Sequence, residues 1–310
     1  MPRIILDTDP GTDDAIALFL ALASPEVQLE AVTTTHGNVG VDLTTQNALA
    51  LLELARRTEI PVARGSAHPL VHSPVDAAHV HGASGLGGLT LPAPTITPVK
   101  QHAVDLIIER LQAAPGEITL VAIGPLTNLA LAMRRAPELA QLVKEVVIMG
   151  GALRVPGNVT PAAEFNIYAD PHAAQVVFHA GWPIRLVSLD VTNITSVGRE
   201  QIAQLAQTGK KIGQAIEQML HHYFEVFAAA SGNRRFSLHD PLALVAAFQP
   251  DFITWEPLYV DVELTGRLTL GATVAAYKRP HTPQPNMLGS MGVESERFVA
   301  WLWERLAALG

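Results

Sequence analysis

The sequence predicts an α/β fold, a single domain over residues 1–310 with a mostly parallel, Rossmann-like central sheet flanked by helices. Two observations carry that expectation. Short apolar, β-branched runs alternate with stretches of helical periodicity, and strands separated by helices pair in parallel through right-handed crossovers. Hydrophobic residues make up 48% of the chain and charged residues only 16%, which suits one large buried core and not a disordered polymer.

Each element follows from its local pattern. Residues 3–6 read as a strand and 13–23 as a helix; 29–35 is a β-branched strand, and 43–57 a helix with apolar residues at helical spacing. Further strands are expected over 118–123, 145–149 and 184–189. Helices are expected over 125–135, 171–180 and from 199 onward; Pro125 suits a first helical turn, where its missing N–H costs nothing. Residues 65–98, rich in Gly, Pro and His, read as a long loop, and such a loop in a compact domain is functional or disordered. Residues 151–169 are a second irregular stretch. A helix near 210–230, strands near 257–264 and 268–276 and a last helix from about 293 to 309 are expected to complete the sheet and cover its mouth.

Composition removes several classes of function. The formal net charge is −8, and the longest basic clusters are pairs such as Arg56-Arg57 and Lys210-Lys211, whereas nucleic-acid binding needs clustered cations. With no cysteine, disulfides, thiolate metal ligands and cysteine nucleophiles are excluded. The N-terminus reaches Asp7 too soon for a signal peptide, and no apolar stretch approaches the ~20 residues of a membrane span, so a cytoplasmic protein with no membrane partner is expected. Dinucleotide, P-loop and nucleophile-elbow motifs are absent.

The strongest chemical signal is Asp7-Thr8-Asp9-Pro10-Gly11-Thr12-Asp13-Asp14, after a hydrophobic strand and at the start of a helix. A helix N-terminus offsets one or two carboxylates, but four raise one another's pKa unless a cation joins them. A hard cation with oxygen ligands, Ca²⁺ or Mg²⁺, answers that need. The plainer reading, capping by Asp13, leaves Asp7 and Asp9 without explanation. Ligands of open parallel sheets bind beyond the carboxyl ends of the strands. On that rim fall His36-Gly37-Asn38, Gly124-Pro125-Leu126-Thr127-Asn128, Gly150-Gly151 and Asp190-Val191-Thr192-Asn193. Asn158, Glu164 and Asn166 suit a polyhydroxyl ligand such as a sugar, or else ordinary turn chemistry. Asp240, beside His239, is either a site residue or only the N-cap of an apolar helix.

Together the segments DTDPGTDDA, TTHGN, HGASGLGG, AIGPLTNLALA, VVIMGG, GNVTPAAEFNIYADPHAA and HDPLAL resemble the nucleoside hydrolase family, of the inosine–uridine-preferring type, from Ile4 to the final helix. The resemblance implies Ca²⁺-dependent hydrolysis of the N-glycosidic bond of ribonucleosides to free base and ribose. It implies Asp9, Asp14, Asp240 and the carbonyl of Ile123 as metal ligands, with Asp9 also the general base on water and Asn38 helping to orient that water. Asp13 and Asn166 would hold the ribose 2′- and 3′-hydroxyls, Asn158 and Glu164 the 5′-hydroxyl, and Asp7 would support the cluster. His239 stands at the position of the family's general acid, and its near-neutral reference pKa suits the role. His81 matches a second histidine on the base side. Tyr223 and Phe227 either pack against the base or form a helix face in the core. Some pyrimidine-preferring members carry Gln and Tyr where this chain has Phe227 and Ser231, which argues against strict pyrimidine preference. A homo-oligomer, dimer or tetramer, is also implied, and Trp301 and Trp303, on different faces of the last helix, would meet a partner or another part of the chain.

Two rival readings remain. A haloacid-dehalogenase-like phosphohydrolase also opens with Asp-x-Asp after its first strand, but it needs a phosphate-binding lysine and a late acidic pair, and this chain has five lysines and a single Asp240 beside His239. A non-catalytic nucleoside-binding protein would keep the metal site without keeping Asp9, Asn38 and His239 together.

Overall fold

The computed structural model describes residues 1–227, 232, 234–277 and 283–309, with the backbone alone at 226 and 227. Its eleven strands are β1 (Arg3–Thr8), β2 (Gln28–Thr34), β3 (Val62–Arg64), β4 (Ile118–Ala122), β5 (Glu145–Met149), β6 (Ile184–Val187), β7 (Ser196–Val197), β8 (Phe236–Ser237), β9 (Ile253–Val262), β10 (Thr273–Ala276) and β11 (Met287–Val293). Nine form one sheet in the order β10-β9-β11-β6-β5-β4-β1-β2-β3, while β7 and β8 pair separately. From β3 to β11 every neighbouring pair is parallel; β9 then runs antiparallel to β11, and β10 antiparallel to β9. The expected α/β sheet is what forms.

Period-two alternation divides the core between the two faces of the sheet. Ile4 and Leu6 join the cluster under helices α1 (Thr12–Ala23) and α2 (Val41–Leu54), and Ile5 joins the opposite one. Next in the chain come α3 (Ala78–His81) and then, packed on the opposite face of the sheet, α4 (Ala103–Ala113), α5 (Thr127–Arg135), α6 (Leu139–Leu142), α7 (Phe165–Ala169) and α8 (Pro171–Phe178). The chain then adds α9 (Leu189–Thr192), α10 (Arg199–Ala206), α11 (Lys211–His222), α12 (His239–Ala246) and α13 (Ser295–Ala308). No helix among the described residues is long and apolar enough to cross a membrane.

Several expectations are corrected by the structure. The strand expected over 184–189 stops at Val187, because the next residues turn into α9. That expected over 268–276 shrinks to β10, since Leu270 N–H bonds back to the Gly266 carbonyl at 2.9 Å in a turn. β11 escapes sequence reading altogether. Its MLGSMGV is poor in β-branched residues and holds two glycines, yet Gly289 is needed: a Cβ there would come within 2.7 Å of Leu258 Cδ1 on β9. The helix expected to 230 becomes a π-turn, Tyr223–Phe227, after α11. The segment 65–98 is tied down by hydrogen bonds to neighbours: Leu70 N–H donates to Asp170, the Ser84 carbonyl accepts from Asn47, and Thr95 and Ile96 N–H donate to Glu53. Trp301 packs on Phe248, Phe252 and Phe298, and Trp303 Nε1 donates to the Gln201 carbonyl at 2.7 Å, so both indoles are used within the chain.

Candidate active site

Strand order reverses at β1, which lies between β2 and β4, and beyond the carboxyl ends of these strands opens a crevice. It holds a cavity of about 290 Å³, lined among others by Asp13, Asn38, His81, Ile123, Asn158, Glu164, Asn166, Tyr223, His239 and Asp240. That volume is at the small end for a small-molecule site. No lysine or arginine lines the cavity among the described residues. A phosphohydrolase of the haloacid-dehalogenase type needs a lysine on the phosphate, and none of the described residues supplies one here.

The acidic cluster is built from β1, α1 and α12. Alternation turns Asp7 to the face of Ile5, where it accepts from Thr33 Oγ1 at 2.5 Å and Asn128 Nδ2 at 2.8 Å. No hydrogen bond joins it to the other aspartates, so its expected support of the cluster runs only through the surrounding frame. Thr8, on the opposite face, donates to Asp14 Oδ1 at 2.6 Å. Asp14 sits at the third position of α1 and accepts from Gly11 N–H at 2.9 Å, so Asp14 and not Asp13 closes this helix start. Asn38 Nδ2 donates to Asp14 Oδ2 at 2.9 Å, and Asn38 N–H to Asp9 Oδ2 at 2.6 Å. Asn38 thus braces two carboxylates.

Asp9 is held tightly and incompletely. A Cβ on Gly37 would approach Asp9 Oδ2 to 2.0 Å, and one on Gly124 would approach Oδ1 to 2.4 Å, so two backbones press on the carboxylate. Oδ1 is buried and has no hydrogen-bond partner. Carboxylate oxygens of Asp13, Asp14 and Asp240 lie within 4.8 Å of one another. Asp240 is no N-cap, since that position of α12 belongs to Leu238. Burial first, then the charges of Asp13, Asp14 and Asp9, push Asp240 well above the usual carboxylate range. Burial and then Asp14 push Asp9 the same way and Asp13 to about 7. The starts of α1 and α12 offer partial positive charge to this group, too little for four acids. Three converging buried carboxylates are the donor set of a hard divalent cation, and the residues present fit one; Asp9, expected among the ligands, lies outside that group of three. The Ile123 carbonyl accepts from Asn166 Nδ2 at 3.0 Å and keeps a second lone pair.

The other expected residues arrive from distant elements. Glu164 caps α7, accepting from Gly151, Asn166 and Ile167 N–H; Asn158 Oδ1 accepts from Phe165 N–H at 2.9 Å. Turn chemistry therefore occupies part of both side chains, while both still line the cavity. His239 Nδ1 lies 2.7 Å from Thr192 Oγ1, and burial lowers its pKa to about 4. Tyr223 stands edge-on to Phe236, ring centroids 4.9 Å apart, and burial followed by the charge of Asp13 raises its hydroxyl to about 12. The side chain of Phe227, and Ser231, lie outside the described residues.

A family profile described as inosine-uridine preferring nucleoside hydrolase matches residues 4–300. The chain belongs to the nucleoside hydrolase family. It hydrolyses the N-glycosidic bond of ribonucleosides, in a family that is metal-dependent in general. An uncharacterized protein of Schizosaccharomyces pombe is 43% identical to it over 99% of both chains. The pyrimidine-specific ribonucleoside hydrolase RihA of an Enterobacter species is 42% identical over 98% of this chain and 97% of its own. Among solved structures, a purine-preferring ribonucleoside hydrolase from Gardnerella vaginalis superposes with a TM-score of 0.94 at 33% identity, covering 99% of this chain and 98% of that one.

The sequence of this nucleoside hydrolase gave no role to Phe236 and Ser237, which line the cavity from β8, or to Thr12 and Thr192, which contact His81 and His239, two of the three histidines that line it among the described residues. Phe236 carried a signal, an aromatic side chain shortly before His239-Asp240. The threonines stood in the acidic motif and on the rim, but nothing in the sequence pointed to histidine partners 69 and 47 residues away.

Proposed function

We propose that the chain is a calcium-dependent ribonucleoside hydrolase in which Asp9 is the general base and His239 the general acid. The observation that carries this reading is the convergence of the buried Asp13, Asp14 and Asp240 carboxylates; Asp9, outside that group, keeps a buried, unpartnered Oδ1 and acts on Asp240 through its charge. Asp9, Asp14, Asp240 and the Ile123 carbonyl would hold the ion, which when bound supplies a positive charge that gathers ribose hydroxyls and acidifies a neighbouring water. Asp13, within reach of the same carboxylates, and Asn166 take the 2′- and 3′-hydroxyls. Asn158 and Glu164 take the 5′-hydroxyl with the acceptor capacity their turns leave free.

Asp9 takes a proton from the attacking water, whose oxygen bonds to C1′ as the C1′–N bond breaks. The ribosyl group passes through an oxocarbenium-like state, as in glycoside hydrolysis generally, and the electron pair of the broken bond goes to the base. His239 gives the departing base a proton. Burial favours the neutral imidazole in the free enzyme, so His239 acts by taking up a proton from solvent, which the negative charge growing on the departing base favours, and passing it on as the imidazolium. Asn38 keeps Asp9 aimed by holding its Oδ2. Tyr223 and Phe236 offer the base an aromatic wall.

A reducing-sugar assay on inosine, adenosine, uridine and cytidine, with and without chelator, tests this. Ribose release that falls when calcium is stripped and returns when it is restored is expected. No ribose from any of the four would sink the reading in favour of a binder.

A further inference from the structure

We infer that the backbone N–H of Thr12, in the first turn of α1, locks His81 as the neutral tautomer with its hydrogen on Nε2, making His81 a fixed hydrogen-bond donor to the nucleobase and not a proton donor. The tautomer follows from geometry on this chain alone; the identity of the acceptor rests on the nucleoside reading above.

Thr12 N–H points at His81 Nδ1 across 3.1 Å. A backbone amide can only donate, so Nδ1 must present its lone pair, and a neutral imidazole then carries its hydrogen on Nε2. Thr12 Oγ1, 2.9 Å from the same nitrogen, faces that lone pair and donates too. The ring can come this close because residue 11 is glycine: a Cβ there would stand 2.8 Å from Nδ1. The backbone of His81 is held from both sides, its N–H by the Ala77 carbonyl at 3.0 Å and its carbonyl by Gly87 N–H at 2.7 Å. A proton on Nδ1 would set N–H against N–H at a helix start that already carries positive partial charge. Burial, followed by the nearby His239 and His79, acts in the same direction and holds the pKa down to about 3. His81 therefore stays neutral across the working range of the enzyme. A neutral imidazole is far too weak an acid to surrender its Nε2 hydrogen, yet it polarises an acceptor well.

His81 lines the same cavity as His239 and Tyr223. Every natural nucleobase has an acceptor next to its glycosidic nitrogen, the O2 of a pyrimidine or the N3 of a purine. One fixed donor serves either class. Negative charge grows on the base as the C1′–N bond stretches, so the bond from Nε2 tightens toward the transition state with no proton changing hands. Proton delivery falls to His239 alone, and Thr12 is a positioning residue for the other histidine.

Nitrogen-15 NMR of the histidine-labelled full-length protein reads the tautomer directly, with His81 assigned by its loss in His81→Gln. The expected signature is a protonated Nε2 and a bare, hydrogen-bonded Nδ1 from about pH 5.5 to about pH 8.5, across the ordinary imidazole pKa of about 6.5. A hydrogen on Nδ1, or an imidazolium within that range, overturns the proposal. Kinetics supplies the second readout, because the Gln side chain reaches the place of Nε2 with a donor that cannot act as an acid. His81→Gln should keep kcat/KM on inosine and uridine within about tenfold of the parent, while His81→Ala loses about 100-fold or more. Equal losses for the two variants overturn the donor role. Should the parent release no ribose from any nucleoside, the nucleoside reading fails by itself, and the NMR result still decides the tautomer.

Discussion

At the scale of single residues, what distinguishes this site is how the environment divides chemically identical groups. Four aspartates lie within eight positions of sequence, yet Asp7 accepts from Thr33 and Asn128 on the far face of the strand, Asp14 collects donors from Thr8, Gly11 and Asn38, and Asp9 is held by Asn38; Asp7 and Asp9 each keep one buried oxygen bare. Asp9→Asn keeps the shape and removes the base, so kcat should fall by about 100- to 10,000-fold with an unchanged circular dichroism spectrum. Loss of folded signal instead would show that Asp9 is chiefly structural. His239→Ala should cost far more on inosine than on a riboside with a good leaving group such as nitrophenolate, which needs no proton. Equal losses on both substrates would remove His239 from leaving-group protonation.

Elements matter through the way they are stacked behind the site. α13 packs on α1, the helix that carries Asp13 and Asp14, and its Phe298 is fully buried against Phe252. Phe298→Ala should destabilise the protein by about 3–5 kcal/mol, read as a lower midpoint in thermal or urea unfolding. Activity per folded molecule should hold at temperatures well below that midpoint, because Phe298 packs its ring on Phe252 and Trp301 and does not line the cavity. A shift under about 1 kcal/mol would mean that the aromatic cluster re-closes around the gap. The π-turn at Tyr223 is a second case. It follows α11 directly, and Tyr223 at its start lines the cavity edge-on to Phe236.

For the whole molecule, the buried acids couple metal binding to folding. Burial and mutual repulsion raise Asp9, Asp13 and Asp240 together, so folding without a cation requires either proton uptake or buried charge, neither of which the unfolded chain needs. A ligand that binds only the folded state stabilises it by mass action, about 2.7 kcal/mol at a hundredfold excess over Kd. Calcium should therefore raise the thermal midpoint by several degrees and chelator should reverse it, measured by differential scanning fluorimetry at fixed pH. No shift with saturating calcium would count against the proposed ion.

Local chemistry in the sequence was enough for the alternating strands and helices, for the rim that they share, and for the motifs of the acidic loop, because apolar periodicity and turn residues act over a few positions. It was also enough for the family, whose segments run the length of the chain. Tertiary structure alone decided the rest. β11 forms because β6 and β9 present edges to it, not because MLGSMGV favours a strand. Asp240 joins Asp13 and Asp14 only once the sheet brings α12 onto α1. Which nitrogen of His81 carries its hydrogen is settled by an amide 69 residues away. Hydrogen bonds, charge repulsion and burial depend on distances through space, and those distances exist only after the chain has folded.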